Sequence, residues 1–185
     1  MDLFDGWQFT ILCEDVRTER AISAFLRTKK VPSRRITPVP RGSIGSGEQF
    51  VRTHADAVVK GAVKTDVRRI VIVVMDADKA ASQDEYRQID ISVDLSNKKV
   101  VLARFIPRRN IETWLAWLKF TDEDIDEANN YKAKINDGDI KSLIGGLPKA
   151  LRERYNTTPP SLRNAVEEWD RLKERVDKLN SDSRH

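Results

Sequence analysis

The longest unbroken apolar run in the chain, Ile70 to Met75, is bounded by Arg69 and Asp76. Rich in β-branched residues, it predicts a strand buried on both faces. Shorter apolar runs at Gln8 to Cys13 and Val100 to Ile106 predict two more strands, the second ended by Pro107. Ile36 to Pro40 predicts another strand, whose prolines assign it to a sheet edge. Between these runs the spacing changes to three and four. Ala21, Ile22, Phe25 and Leu26 mark a helix from Arg17 to Lys29, with Asp15 or Thr18 as its N-cap and Val31-Pro32 as its breaker. Phe50, Val51, His54, Val58, Val59 and Ala62 mark a second helix, opened by a glycine-rich stretch in which Ser46 and Gln49 have capping-box spacing. Asn110 is placed to cap a third, Ile111 to Phe120. Ala80 to Asp90 reads as a polar helix, and Ile89 to Leu95 as strand or continued helix before a turn at Ser96-Asn97.

Strands that alternate with helices predict an α/β fold with a mainly parallel four-stranded sheet, contained in residues 1–120. Residues 121–185 read as a helical C-terminal extension packed on it. Its expected parts are the acidic block Asp122 to Glu127, a segment from Ile140 to Leu147 weakened by Gly145-Gly146, a separate helix from about Pro148, and a last helix after Pro159-Pro160-Ser161. In that helix Leu162, Val166, Trp169, Leu172, Val176 and Leu179 form one stripe. Such a stripe packs on its own domain or pairs with a partner helix, which would make an oligomer.

Composition sharpens this picture in two places. The net charge of +4 is modest, but it is unevenly spread. Six basic residues and no acidic one lie between Arg27 and Arg41, and five, again unopposed, between Lys98 and Arg109. This pattern suits a polyanion on one face. The single cysteine, Cys13, sits in an apolar run and is expected to be a buried, inert thiol. No apolar run approaches the roughly 18 residues of a membrane span, and the first residues lack the basic start of a secretory signal. The expectation is a cytoplasmic chain with no membrane contact.

The candidate chemistry is carboxylate. Glu14 follows the first strand, Asp76 and Asp78 follow the third, and Glu112 opens the helix after the fourth. In a parallel sheet these positions share the carboxyl edge, where ligands bind. Two carboxylates about 4 Å apart repel by roughly 4 kcal/mol at an effective dielectric near 20. A divalent cation offsets that repulsion, and oxygen donors without His or Cys favour Mg2+ or Mn2+. Asp78 can equally be a plain helix cap. The glycine-rich stretch before the second helix offers backbone N–H groups to a phosphate or is a simple connection.

Ile11-Leu12-Cys13-Glu14-Asp15-Val16-Arg17-Thr18-Glu19 resembles the first motif of Toprim (topoisomerase/primase) domains, a strand ending in Glu with a second Glu on the following helix. Ile72 to Asp78 resembles their Asp-x-Asp motif. Ile106-Pro107-Arg108-Arg109-Asn110-Ile111-Glu112-Thr113-Trp114-Leu115 is similar to a signature of small stand-alone Toprim-like proteins related to the OLD-family nucleases. The resemblance spans about Phe9 to Leu118. It implies Mg2+- or Mn2+-dependent nuclease chemistry on DNA or RNA, with Glu14, Asp76, Asp78 and Glu112 as ligands or acid/base groups. Arg41 and Lys79 are candidates for phosphate contacts, and Arg34, Arg35, Arg108 and Arg109 for following the nucleic-acid backbone. It further implies a role in prokaryotic genome defence (phage defence) or repair, beside a partner ATPase. One position departs from the pattern, because Asp15 stands where the family usually has Gly.

Other readings use the same acids. Asp76-Ala77-Asp78-Lys79 echoes the nucleophile motif of haloacid-dehalogenase-like phosphatases, although it falls on the third strand rather than the first. Glu14-Asp15 with Asp76 echoes the acid pocket of receiver domains. A non-catalytic Toprim-like subunit that binds nucleic acid or regulates a larger complex is the alternative outside enzymology.

Overall fold

A computed structural model of the chain describes residues 2–41, 47–77, 91–96 and 99–182. The expected Ala80–Asp90 helix, the Ser46 half of the capping box, Asn97 of the turn, and Asp78 and Lys79 lie outside the described residues. The described elements are β1 (Gln8–Cys13), α1 (Val16–Thr28), β2 (Ile36–Pro38), α2 (Glu48–Val63), β3 (Arg69–Val74), β4 (Val100–Phe105), α3 (Ile111–Lys119), α4 (Ile140–Glu153) and α5 (Pro160–Asp182). The strands form one sheet in the order β2-β1-β3-β4, and every neighbouring pair is parallel. The fold is therefore α/β, with β2 at one edge as its prolines require.

Strand pleating sends alternate side chains to opposite faces, and both faces are covered. On one side Val71, Val73 and Met75 meet Phe50, Val51, Ala55 and Val59 of α2. On the other, Phe9, Ile11, Ile70, Ile72, Ala103 and Phe105 share a core with α1, α3, α4 and α5. That second core runs without a break into the C-terminal helices. Trp169 of α5 packs against Phe4 and Phe25, with ring centroids 5.3 and 4.9 Å away. Near the end of the same helix, Asn180 accepts from Trp7 Nε1 at 3.1 Å and from Arg68 at 2.8 Å, and donates to the Leu3 carbonyl at 2.9 Å. The stripe of α5 is thus spent on the chain's own core: Leu162, Trp169, Leu172 and Val176 are all buried there.

Two expectations about the C-terminal part fail for identifiable reasons. The acidic block is not a helix; residues 121–131 are turns and irregular chain. Its last residue, Glu127, is buried, and its Oε1 accepts from the backbone N–H of Ser161 at 3.0 Å and from the Ser161 hydroxyl. The carboxylate therefore satisfies a free donor at the positive N-terminus of α5, a use that requires a loop free to reach it. The predicted break between two helices near Pro148 does not occur either. α4 runs unbroken through Gly145, Gly146 and Pro148. Interior Pro costs about 3 kcal/mol and each Gly about 1. Burial of Ile140, Ile144, Leu147 and Ala150 on one face of that helix offsets the cost.

Replacing Glu127 with Ala is expected to lower unfolding stability by about 1–3 kcal/mol, because it strands the Ser161 donors. Asp124→Ala, an exposed change in the same block, should stay within about 0.5 kcal/mol. Urea unfolding of the two variants checks the contrast.

Candidate active site at the carboxyl edge of the sheet

The parallel register brings the candidate acids together. Cys13 pairs with Val74 and Val74 with Phe105, so Glu14, Asp76 and the segment after β4 emerge side by side. Pairing persists past the strand ends, with Met75 N–H donating to Phe105 O at 3.2 Å and Ala77 N–H to Pro107 O at 2.8 Å. Asp76 is consequently held in the sheet rather than on a loose loop, and it is only 6% exposed. Its backbone N–H donates to Glu14 Oε1 at 2.8 Å, and the Glu14 carbonyl accepts from Gly47 N–H, at the start of α2, at 3.2 Å. One residue thus joins the ends of β1 and β3 to the entry of α2. Gly47 can serve there because its φ of 85° lies in the left-handed region.

Asp15 has a definite role. Its side chain accepts from Thr18 N–H at 2.7 Å and caps α1. Its backbone is extended, at φ −142° and ψ 171°, so nothing in its conformation calls for glycine. Glu19, the second acid of the first motif, is paired with Arg41, which also donates to Cys13 Sγ at 3.4 Å. Burial pushes the Cys13 thiol up to about 12, a protonated and inert group as expected.

Glu112 is buried in the first turn of α3. Its Oε1 is 2.8 Å from Arg17 Nη1, while its Oε2 is buried with no hydrogen-bond partner among the described residues. Arg17 also reaches Asp137 at 2.7 Å and the Lys132 carbonyl at 3.2 Å, so it ties the acid edge to the segment beyond α3.

Electrostatically the centre of the site is Asp76. Burial, then the charges of Glu14, Asp15 and Glu112, raise its pKa to about 9; Lys132 pulls the other way. At neutral pH this carboxyl therefore keeps its proton unless positive charge arrives. Glu14, Asp76 and Glu112 are the expected ligands among the described residues, and all offer oxygen. As arranged, Glu14 faces the Asp76 backbone and Glu112 faces Arg17, and no three His, Cys, Asp or Glu among the described residues form a ready cation cage. The buried Glu112 Oε2, unpartnered among the described residues, and the buried Asp76 carboxyl, which ionises at neutral pH only if positive charge arrives, both fit a hard divalent cation.

The basic candidates divide by sheet edge. Arg108, exposed, and Arg109, which donates to Ala128 O at 2.7 Å, follow β4 and share the edge of Asp76. Arg41 lies near that edge through its contacts with Cys13 and Glu19. Arg34 and Arg35 precede β2 and so lie at the opposite, amino edge, where Arg35 pairs with Asp5 at 3.0 Å. They do not join the carboxylates. Two residues near the acids escape a sequence reading. Arg17 sits within the first motif and could have been noticed as a cation one turn from Glu14. Lys132 comes from the segment assigned to a separate extension, with no local signal to place it.

Compared with known proteins, the chain matches no family model, no curated protein and no solved structure. What defines it is a four-stranded parallel α/β fold with clustered acids at its carboxyl edge.

The pKa of Asp76 gives a test. Its folded value lies above the unfolded one, so the native state holds the extra proton between about pH 4 and 9 and stability falls as pH rises through that window. In EDTA buffer, Asp76→Asn is expected to be more stable than the parent. The gain should be small near pH 4, should grow towards pH 8, and should reach at least about 1 kcal/mol. Thermal melts at several pH values read it directly.

Proposed function

We propose that the chain is a Mg2+- or Mn2+-dependent nuclease acting on the phosphodiester bonds of DNA or RNA, with Glu14, Asp76, Asp78 and Glu112 as its acidic set. The observation that carries this reading is the buried Asp76 carboxyl, held among three other carboxylates at the end of a central strand. A purely structural position would favour an uncharged side chain there, because burying a carboxylate among like charges costs stability. A divalent cation, when bound, supplies charge neutralisation and Lewis acidity to phosphoryl transfer.

The chain's own residues have distinct tasks in this reading. Asp76 releases its proton as positive charge enters, so cation affinity rises with pH. Glu14 is oriented by the Asp76 N–H, and Asp15 fixes the turn between Glu14 and α1. Arg17 holds Glu112 in place through the ion pair at its Oε1. Arg41, Arg108, Arg109 and Lys132 furnish positive charge for phosphate, whereas Arg34 and Arg35 are too far round the sheet to serve the same phosphates. The defence or repair setting and the partner ATPase rest on the Toprim resemblance. No helix among the described residues is long and apolar enough to cross a membrane.

Incubation with plasmid, single-stranded DNA and RNA in Mg2+ or Mn2+ is expected to give cleavage. Asp76→Asn should reduce it by a factor of about 100 or more. Mn2+ should raise the melting temperature of the parent protein and not that of Asp76→Asn. Cleavage that persists in the variant rejects the assignment. Nucleic-acid binding without turnover supports the non-catalytic Toprim-like subunit instead.

A further inference from the structure

The helices on the α1 side of the sheet leave a gap. A cavity of about 150 Å3 lies between α1, α3, α4 and α5, with Ala21, Phe25, Trp114, Leu147, Ala165 and Trp169 among its walls. Trp114 spends its indole N–H on Ser161 Oγ at 2.7 Å, and Trp169 packs edge-on against Phe25. The walls accordingly present hydrocarbon and ring surface. An apolar space of about this size has room for one aromatic ring.

The mouth is different. Lys29, Asp170 and Lys173 stand there. Lys173 pairs with Asp170 at 2.5 Å. Lys29 lies 5.3 Å from the Phe25 ring centre and has no ion-pair partner among the described residues. Two ammonium groups face one carboxylate, which leaves the mouth positive. Burial, followed by the charge of Lys173, lowers the pKa of Lys29 while Asp170 opposes the shift, so the two cations are close enough to act on each other. An anion shared by both would relieve that repulsion.

We propose that this cavity binds a small amphipathic anion: one aromatic ring, or a short alkyl chain, seated among the indoles, with a carboxylate held by Lys29 and Lys173. Apolar walls with a few convergent polar groups at one end are the usual form of a small-molecule site. The binding site is separate from the acids at the carboxyl edge and does not depend on their chemistry. It does share α1 and α3 with them, since those helices carry Arg17 and Glu112 in their first turns.

The full-length chain titrated with 4-phenylbutyrate, followed by tryptophan fluorescence, is expected to give a saturable change with a Kd of about 1 mM or tighter. The neutral analogue 4-phenyl-1-butanol should bind about tenfold more weakly. Lys29→Met combined with Lys173→Met should remove that difference while leaving the melting temperature near the parent value. Ala165→Phe, which fills the cavity, should abolish the change with helix content intact by circular dichroism; Ala21→Leu fills it from the opposite wall should that variant fail to fold. No saturable change, equal affinity for acid and alcohol, or binding that survives filling of the cavity would overturn the proposal.

Discussion

The structure turns on a carboxyl group buried where it is least comfortable. Asp76 ends an apolar run that extends from Ile70 to Met75, and its backbone remains hydrogen-bonded between the neighbouring strand ends. The sheet therefore forces a titratable group into a low-dielectric position beside Glu14, Asp15 and Glu112. Much of the nearby polar structure acts to make this tolerable. Glu14 is fixed on the Asp76 N–H, Asp15 turns its charge to the N-terminus of α1, and Glu112 is matched by Arg17.

The C-terminal helices are the second requirement. A sheet needs both faces covered, and α2 covers only one. The other is closed by α1 and α3 together with α4 and α5, and the last of these reaches back to Trp7 and Leu3 at the beginning of the chain. The same packing positions Asp137 and the Lys132 carbonyl, which hold Arg17 beside Glu112, and the Lys132 ammonium, which adds positive charge near Asp76. Core and site are thereby built from both ends of the chain. The apolar cavity is a by-product of that closure, left where four helices, three of them carrying large aromatic side chains, do not fill every gap.

Much of this was legible in the order of residues. The four strands, the edge position of β2, a cap of α1 at Asp15 or Thr18 and the shared edge of Glu14, Asp76 and Glu112 follow from runs, spacing and prolines, because these signals are local and the parallel topology repeats them in register. Helix breakers were less informative. Pro148 and the glycines before it could be read only as a stop, since the burial that overrides them involves residues far away in the chain. Glu127 looked like one more charge in an acidic run, and its role depends on Ser161, which only folding brings to it.

By itself the sequence determined the α/β class, the strand ends and the acids placed there, all consequences of short-range periodicity and chain direction. Tertiary structure alone decided which charges face which. It put Arg34 and Arg35 on the amino edge, drew Arg17 onto Glu112, brought Lys132 towards Asp76, and spent the α5 stripe within the chain. The reason is physical: periodicity fixes which side of an element is apolar, but the partner of a charge is whatever the packed core carries within a few ångströms of it.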